Sequence, residues 1–216
     1  MILGFDTSGR YISAALWDGT EIVADRYEEM ARGQAERLFP LLDELLTDAG
    51  QTLQDLSAIG VGTGPGNFTG IRLAVSAARG LALSLGVPAV GVNLLEALAL
   101  GSQNPVLACL DAPRDAVYVQ GYGTATPIQP QQINAAEVPL GWSETGLTCI
   151  GSGAEAVAER LGATVSPAAF APGLAIARIA AQRWHDDPAR PAPFYLRAAD
   201  AAPSKEQGPV ILDHNA

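Results

Sequence analysis

Two stretches of this sequence carry the residue types that could meet a phosphate. Asp6-Thr7-Ser8-Gly9 puts a carboxylate, two hydroxyls and a turn glycine at the end of the apolar run Ile2-Leu-Gly-Phe-Asp6. Gly60-Val-Gly-Thr-Gly-Pro-Gly-Asn-Phe-Thr-Gly-Ile-Arg72 sets glycines 60, 62, 64 and 66 on alternate positions ahead of a helix. Turn amides and hydroxyls of this kind can hold phosphate oxygens while an aspartate holds hydrated magnesium, which makes Asp6, Thr7, Gly64 and Gly66 the candidate edge of a nucleotide site. The tetrapeptide reads equally as an Asx or ST turn that satisfies its own backbone. The glycine face reads equally as a place where another backbone or helix comes close.

Neither phosphate fingerprint is complete. A Walker loop needs lysine after its last glycine, and Ile71-Arg72 follows Gly70. In the dinucleotide pattern Thr69 stands where the third glycine belongs, and Gly70 is one place late. His185 and His214 stand at no metal-ligand spacing, and no Gly-x-Ser-x-Gly elbow accompanies them. The sequence therefore names no catalytic residue and no metal ligand of its own.

Composition narrows the partners. Net charge is −10 with twelve arginines and the single lysine Lys205, which opposes autonomous binding to a phosphate backbone, since that affinity comes from clustered cations. Apolar residues make up 48% of the 216 positions and charged residues only 17%, so some apolar surface is expected to be covered by another subunit. Cys109 and Cys149 sit singly in apolar runs, like core thiols of a reducing compartment. No leader pattern opens the chain and no membrane-spanning run is evident, so a cytoplasmic location is expected.

The elements that must position these residues follow from periodicity. Residues 2–6, 11–17 and 21–27 predict three strands, with Asp18-Gly19 as a hairpin turn. Leu38, Leu41, Leu42, Leu45 and Leu46 predict a helix over 34–49 that Gly50 stops. A strand over 57–63, a helix over 68–85 closed by Gly86 and Pro88, a strand over 88–92 and a helix over 94–100 capped by Asn93 complete a βββαβαβα order. Gly101 to Pro105 reads as a link, giving a first domain over 1–102 and a smaller one over 105–197. Strands at 105–110, 116–122 and 147–150 and helices at about 154–161 and 173–185 are expected in the second. Residues 123–146 carry no clear period, and 198–216 read as a loosely ordered tail.

The helix over 68–85 has two flanks, Ile71, Val75, Ala78, Ala82 and Leu85 on one and Leu73, Ala77, Gly80 and Ser84 on the other, with Arg72 and Arg79 between. Such a helix is expected to be buried on both sides. Its small-residue flank suits a close helix crossing, and the arginines favour an interface over a core. Leu73, Ala77, Gly80, Ser84, Arg72 and Arg79 are thus the candidate interface, with packing inside the chain as the competing reading.

Ile2-Leu-Gly-Phe-Asp-Thr-Ser8, Gly64-Pro-Gly-Asn-Phe-Thr-Gly-Ile-Arg72 followed by Ala78-Arg-Gly-Leu-Ala82, and Phe194-Tyr-Leu-Arg197 resemble the TsaB (YeaZ) family. The resemblance implies an α/β, actin-like or sugar-kinase-like (ASKHA) fold of two βββαβαβα domains, the second reduced. It implies a non-catalytic subunit of the complex that makes threonylcarbamoyladenosine at N6 of adenosine 37 in tRNA, bound to the catalytic TsaD, with the ATPase TsaE joining them. It implies a homodimer when alone, tRNA met only through the complex, no membrane, no cofactor of its own, and ATP or ADP at a subunit interface. The helices over 34–49 and 68–85 would form both interfaces.

The sequence also departs from the family. Gln34 stands where relatives commonly carry a histidine, which puts metal-dependent proteolysis out of reach, and the family's Asp-Ala-Arg-x-Gly-Glu-Val-Tyr run appears as Asp111-Ala-Pro-Arg-Asp-Ala-Val-Tyr118. The competing function, a stand-alone kinase or ATPase, would rest on Asp6 and the glycine turns.

Overall fold

The computed structural model describes residues 1–103 and 105–196. Arg197, the tail over 198–216, and with it Lys205 and His214, lie outside the described residues.

The first lobe opens as a meander of β1 (Ile2–Asp6), β2 (Tyr11–Trp17) and β3 (Ile22–Glu29), followed by α1 (Gln34–Asp48), β4 (Ala58–Gly62), α2 (Phe68–Leu85), β5 (Ala89–Val92) and α3 (Leu94–Ala99). Its sheet runs β3-β2-β1-β4-β5, antiparallel through the meander and parallel from β1 to β4 to β5. The leucine stripe of α1 and the Ile71 flank of α2 bury on one face of this sheet against Leu3, Phe5, Ile12, Ile59 and Val61. Asn67 and Asn93 cap α2 and α3 by accepting from the Gly70 and Leu95 amides, and Gly86 closes α2 in the left-handed region at φ 70°.

The expected two-residue Asp18-Gly19 hairpin is instead a wider loop. Trp17 pairs with Ile22 beside a bulge, and Asp18 Oδ1 accepts from the Thr20 amide and hydroxyl and the Glu21 amide. The aspartate thus builds the turn with its side chain.

The second lobe repeats the plan. β6 (Val106–Ala112), β7 (Ala116–Tyr122), β8 (Gln131–Asn134), β9 (Thr148–Ile150) and β10 (Thr164–Ser166) form a sheet of order β10-β9-β6-β7-β8 with the same parallel and antiparallel pattern. α4 (Ala154–Leu161) joins β9 to β10, and two 3-10 turns, Ala135–Glu137 and Leu140–Trp142, stand where α1 stands in the first lobe. That is where the second domain is reduced. β8 falls in the region without a readable period and pairs with β7 through half-buried Gln131, Gln132 and Asn134, polar residues that leave no apolar alternation to read. β10, three residues long, is too short to show a period at all.

The division at 102/105 does not describe where the helices pack. α5 (Pro172–Arg183) lies across β1, β2 and β4 of the first sheet, on the face opposite α1 and α2, while α3 packs on β6 and β7 of the second. Each lobe lends its last helix to the other. The segment after α5 also returns to the first lobe, where the Phe194 amide donates to the Thr63 carbonyl at 2.7 Å.

The glycine face explains how α5 fits. A Cβ at Gly60 would meet the Ala180 Cβ at 2.8 Å, and one at Gly173 would meet the Ala14 Cα at 2.7 Å, so helix and sheet touch backbone to backbone. The buried Ser13 Oγ accepts from the Gly173 amide at 2.9 Å, satisfying a donor in the first turn of α5. Ser13→Ala strands that N–H inside the interface and is expected to lower stability by about 1–3 kcal/mol. Urea unfolding with an unchanged m-value checks it.

Candidate functional site

The turn after β1 is a buried hydrogen-bonded network. Asp6 Oδ2 accepts from the Ser8 and Tyr11 hydroxyls, each at 2.8 Å, and Thr7 Oγ1 donates to the Gly70 carbonyl at 2.7 Å. The Asn67 amide donates to the Ser8 carbonyl at 2.7 Å, which ties the start of α2 to the same turn. Asp6 and Thr7 are fully buried, and Asp6 Oδ1 is left without a partner beside Gly62. Burial raises the Asp6 carboxyl above its ordinary value, against the lowering effect of the Tyr11 and Ser8 hydroxyls.

That shift has a sign. A carboxyl with a raised folded-state pKa binds more protons folded than unfolded, so its contribution to stability is present at low pH and is lost as pH rises from the ordinary carboxylate range through the folded value. Asp6→Asn is therefore expected to remove a downward slope of stability with pH above about 4. Denaturant midpoints for both proteins from pH 4 to 8 check this, and parallel curves would place the carboxylate in water.

A cleft of about 1600 Å³ runs between the lobes. Its walls include Ser8, Gly9, Arg10, Pro65, Gly66 and Asn67 from the first lobe and Leu110, Asp111, Ala112, Tyr118 and Ser152 from the second. Of the four residues expected at a nucleotide edge, only Gly66 lines it. Asp6, Thr7 and Gly64 are buried, with Gly64 under the Phe194 carbonyl and Ile71. The phosphate and magnesium roles do not fit Asp6 and Thr7, because Asp6 Oδ2 holds two hydroxyls, Oδ1 faces the backbone at Gly62, and the Thr7 hydroxyl is taken by Gly70. Gln34 is likewise engaged within the chain. Its Nε2 donates to the Gly9 and Tyr11 carbonyls at 2.9 and 2.7 Å, fixing the start of α1 to the β1–β2 turn. In the Asp111–Tyr118 hairpin, Arg114 and Asp115 both take positive φ, and Asp111, Ala112 and Pro113 face the cleft.

The second flank of α2 is buried only in part, with Ala77 in the core and Leu73 half-buried against it while Gly80 and Ser84 are exposed. Leu73, Ala77, Gly80 and Ser84 line a groove of about 400 Å³ together with Ser76, Leu81 and Phe39 of α1. α1 and α2 share one face of the sheet without closing on each other, and the groove is the space left. Phe39 is 50% exposed, and Leu83, elsewhere on α2, is 80% exposed. Neither is among the residues expected at the interface, although Phe39 stands outside the Leu38/Leu41/Leu42/Leu45 stripe, an aromatic with no place in the core.

The two arginines part company. Arg72 lies 3.8 Å over the Phe68 ring, and its Nε donates to the Tyr195 hydroxyl at 3.0 Å, while Phe68 and Tyr195 stack at 5.2 Å. Arg72 thus belongs to a strap that holds the segment 191–196 at the start of α2. Arg79 is exposed and is not among the residues that line the groove. Among the described helices, α2 is long and apolar enough to cross a membrane, yet Ile71, Ala74, Val75, Ala78 and Ala82 bury against its own sheet.

Known proteins resemble the chain at three levels. The family model for TsaD, tRNA N6-adenosine threonylcarbamoyltransferase, matches residues 26–137. The tRNA threonylcarbamoyladenosine biosynthesis protein TsaB of Escherichia coli is 39% identical over 127 residues, 56% of this chain and 54% of that protein. The chain thus spans about half the length of that curated relative in the match. An uncharacterized protein of Mycobacterium tuberculosis is 35% identical over 207 residues, 94% of each chain.

Among solved structures, YeaZ from Pseudomonas aeruginosa superposes with a TM-score of 0.73 at 29% identity, covering 90% of this chain and 99% of that one. The activator of 2-hydroxyisocaproyl-CoA dehydratase from Clostridium difficile, solved with bound ADPNP, reaches 0.52 at 11% identity, covering 86% and 94%, a likeness of fold alone. The duplicated sheets are the actin-like architecture that the resemblance implied, and the exchange of helices between the lobes is an addition of the tertiary structure. With the TsaD model matching half its length and YeaZ superposing along nearly all of it, the chain belongs to the TsaB (YeaZ) family.

Proposed function

We propose that the chain is the non-catalytic partner subunit in the making of threonylcarbamoyladenosine at adenosine 37 of tRNA, and that it binds and steadies the catalytic TsaD. The observation that carries this reading is the open groove between α1 and α2, floored by small residues and walled by exposed Phe39. An apolar surface of that kind on a chain with few charges fits a helix from another subunit. TsaE joins the assembly, tRNA is met only through it, and the same face forms a homodimer when the chain is alone in the cytoplasm. ATP or ADP belongs to a subunit interface of the complex, with Gly66 at the cleft wall the one expected contact still reachable.

The burial of Asp6 and Thr7 away from the cleft speaks against the second reading, a self-sufficient kinase or ATPase. Gel filtration of the chain with TsaD and TsaE, with and without ATP, tests the proposal alongside a tRNA modification assay. The chain is expected to co-elute with TsaD and to be silent alone. Threonylcarbamoyl transfer by the lone chain, or magnesium-dependent ATP binding lost in Asp6→Ala, would overturn it.

A further inference from the structure

Between Asp6 and the cleft stands Tyr11. The carboxylate is fully buried and does not line the cleft, whereas Ser8, Gly9, Tyr11 and Gly66 do. The Tyr11 hydroxyl donates to Asp6 Oδ2 at 2.8 Å, and the residue itself is only half-buried, so its ring spans the way from the carboxylate to the cleft wall.

Three contacts outside the Asp6-Thr7-Ser8 turn hold that ring in place. A Cβ at Gly9 would run into it, so the ring rests on bare backbone. Tyr27, exposed at the cleft, stacks on it at 5.2 Å between centroids. Gln34 Nε2 donates to the Gly9 and Tyr11 carbonyls, which fixes the start of the strand that carries the ring.

Without the ring, the surroundings would suit a hydrated cation. Mg2+ keeps several of its waters and is commonly held through one or two carboxylates. Asp6 supplies one carboxylate, and the Ser8 hydroxyl lies 2.8 Å from it. Asp6 Oδ1 has no partner, so the carboxylate gains from any water that reaches it. The space vacated by the phenol would open on the cleft and be bordered by these polar groups, which is what water needs in order to enter.

From this we infer that Tyr11 is the specificity-determining residue of the turn: its ring keeps water and divalent cations off Asp6, and replacing it by a small residue creates a site for a hydrated divalent cation. The inference is independent of the docking reading, since neither Tyr11 nor Asp6 lines the groove between α1 and α2.

Mn2+ binding to the full chain, read from the electron paramagnetic resonance signal of the free ion, tests it. The chain carries 23 acidic residues, so weak surface binding is subtracted by comparing each protein with its own Asp6→Asn version. Wild type is expected to match Asp6→Asn alone. Tyr11→Ala is expected to gain one site, about tenfold tighter than the surface background, that Asp6→Asn removes. Tyr11→Thr, which keeps strand propensity, is the second small variant in case Tyr11→Ala folds poorly, and near-ultraviolet circular dichroism checks both. Tyr11→Phe keeps the ring, loses only the hydroxyl, and is expected to bind like wild type.

An Asp6-dependent site in wild type or in Tyr11→Phe overturns the inference, because the ring would then be no barrier. Absence of the site from the folded small variants overturns it as well, because the turn would then refuse the cation for another reason.

Discussion

Gly80→Arg is expected to leave the free chain folded and to remove it from the complex. A Cβ at Gly80 meets nothing within 4 Å, and the position is exposed on the helix. Replacing glycine inside a helix by arginine even gains about 0.5–1 kcal/mol of propensity. The loss appears only when another helix arrives. Close crossings hold axes about 8–10 Å apart, and a long charged side chain at the contact point holds the partner off or is buried unpaired. TsaD binding should weaken at least a hundredfold, about 3 kcal/mol, by titration calorimetry, with the melting temperature of the free chain unchanged or slightly raised. Wild-type affinity would move the docking site off this groove. Arg72→Ala should do far less, because Arg72 is already held by Phe68 and Tyr195 of its own chain.

Gly4→Val is expected to have the opposite character, a large loss of stability before any partner is involved. Gly4 pairs with Gly60 across β1 and β4, and both face α5. A Cβ at Gly4 would lie 2.7 Å from the Ala177 Cα, a backbone atom that no rotamer change can move aside. Either α5 lifts from the sheet, exposing Ile176, Ile179 and Ala180, or β1 shifts in register. Overpacking typically costs about 1–3 kcal/mol, and here the upper end or beyond applies because helix and strand meet as main chains. Against a folding margin of about 5–15 kcal/mol this is a large share. Urea unfolding checks it, and a midpoint within error of wild type would show that α5 does not rest on Gly4. The two glycines stand in the same lobe: one makes room inside the chain, the other makes room for a visitor.

The contrast shows which features could be read in advance. Glycines 60, 62, 64 and 66 announce close approach but not of what. The structure answers differently at each, with α5 over Gly60, the Asp6 carboxylate against Gly62, Ile71 and Phe194 over Gly64, and Ser8 at Gly66. Asp6-Thr7-Ser8 showed its residue types, and with them a phosphate reading, yet Tyr11, Gly62 and Gly70 close the turn from outside the tetrapeptide. The groove residues Leu73, Ala77, Gly80 and Ser84 were legible because a helix places every third or fourth residue on one flank. Phe39 was not, since nothing local says that α1 lies beside that flank rather than on top of it.

By itself the sequence determined the local elements: α1 from its leucine stripe, α2 between the Asn67 cap and Gly86, α3 from Asn93, and a first lobe in βββαβαβα order. Those follow from caps, periods and turn residues, which act over a few positions. Only the tertiary structure decided that α3 and α5 trade lobes, that polar β8 completes a sheet, and that one flank of α2 stays open. Such outcomes depend on contacts like Ser13 to Gly173, 160 residues apart, where the fit of one backbone against another is set by surfaces that no local pattern records.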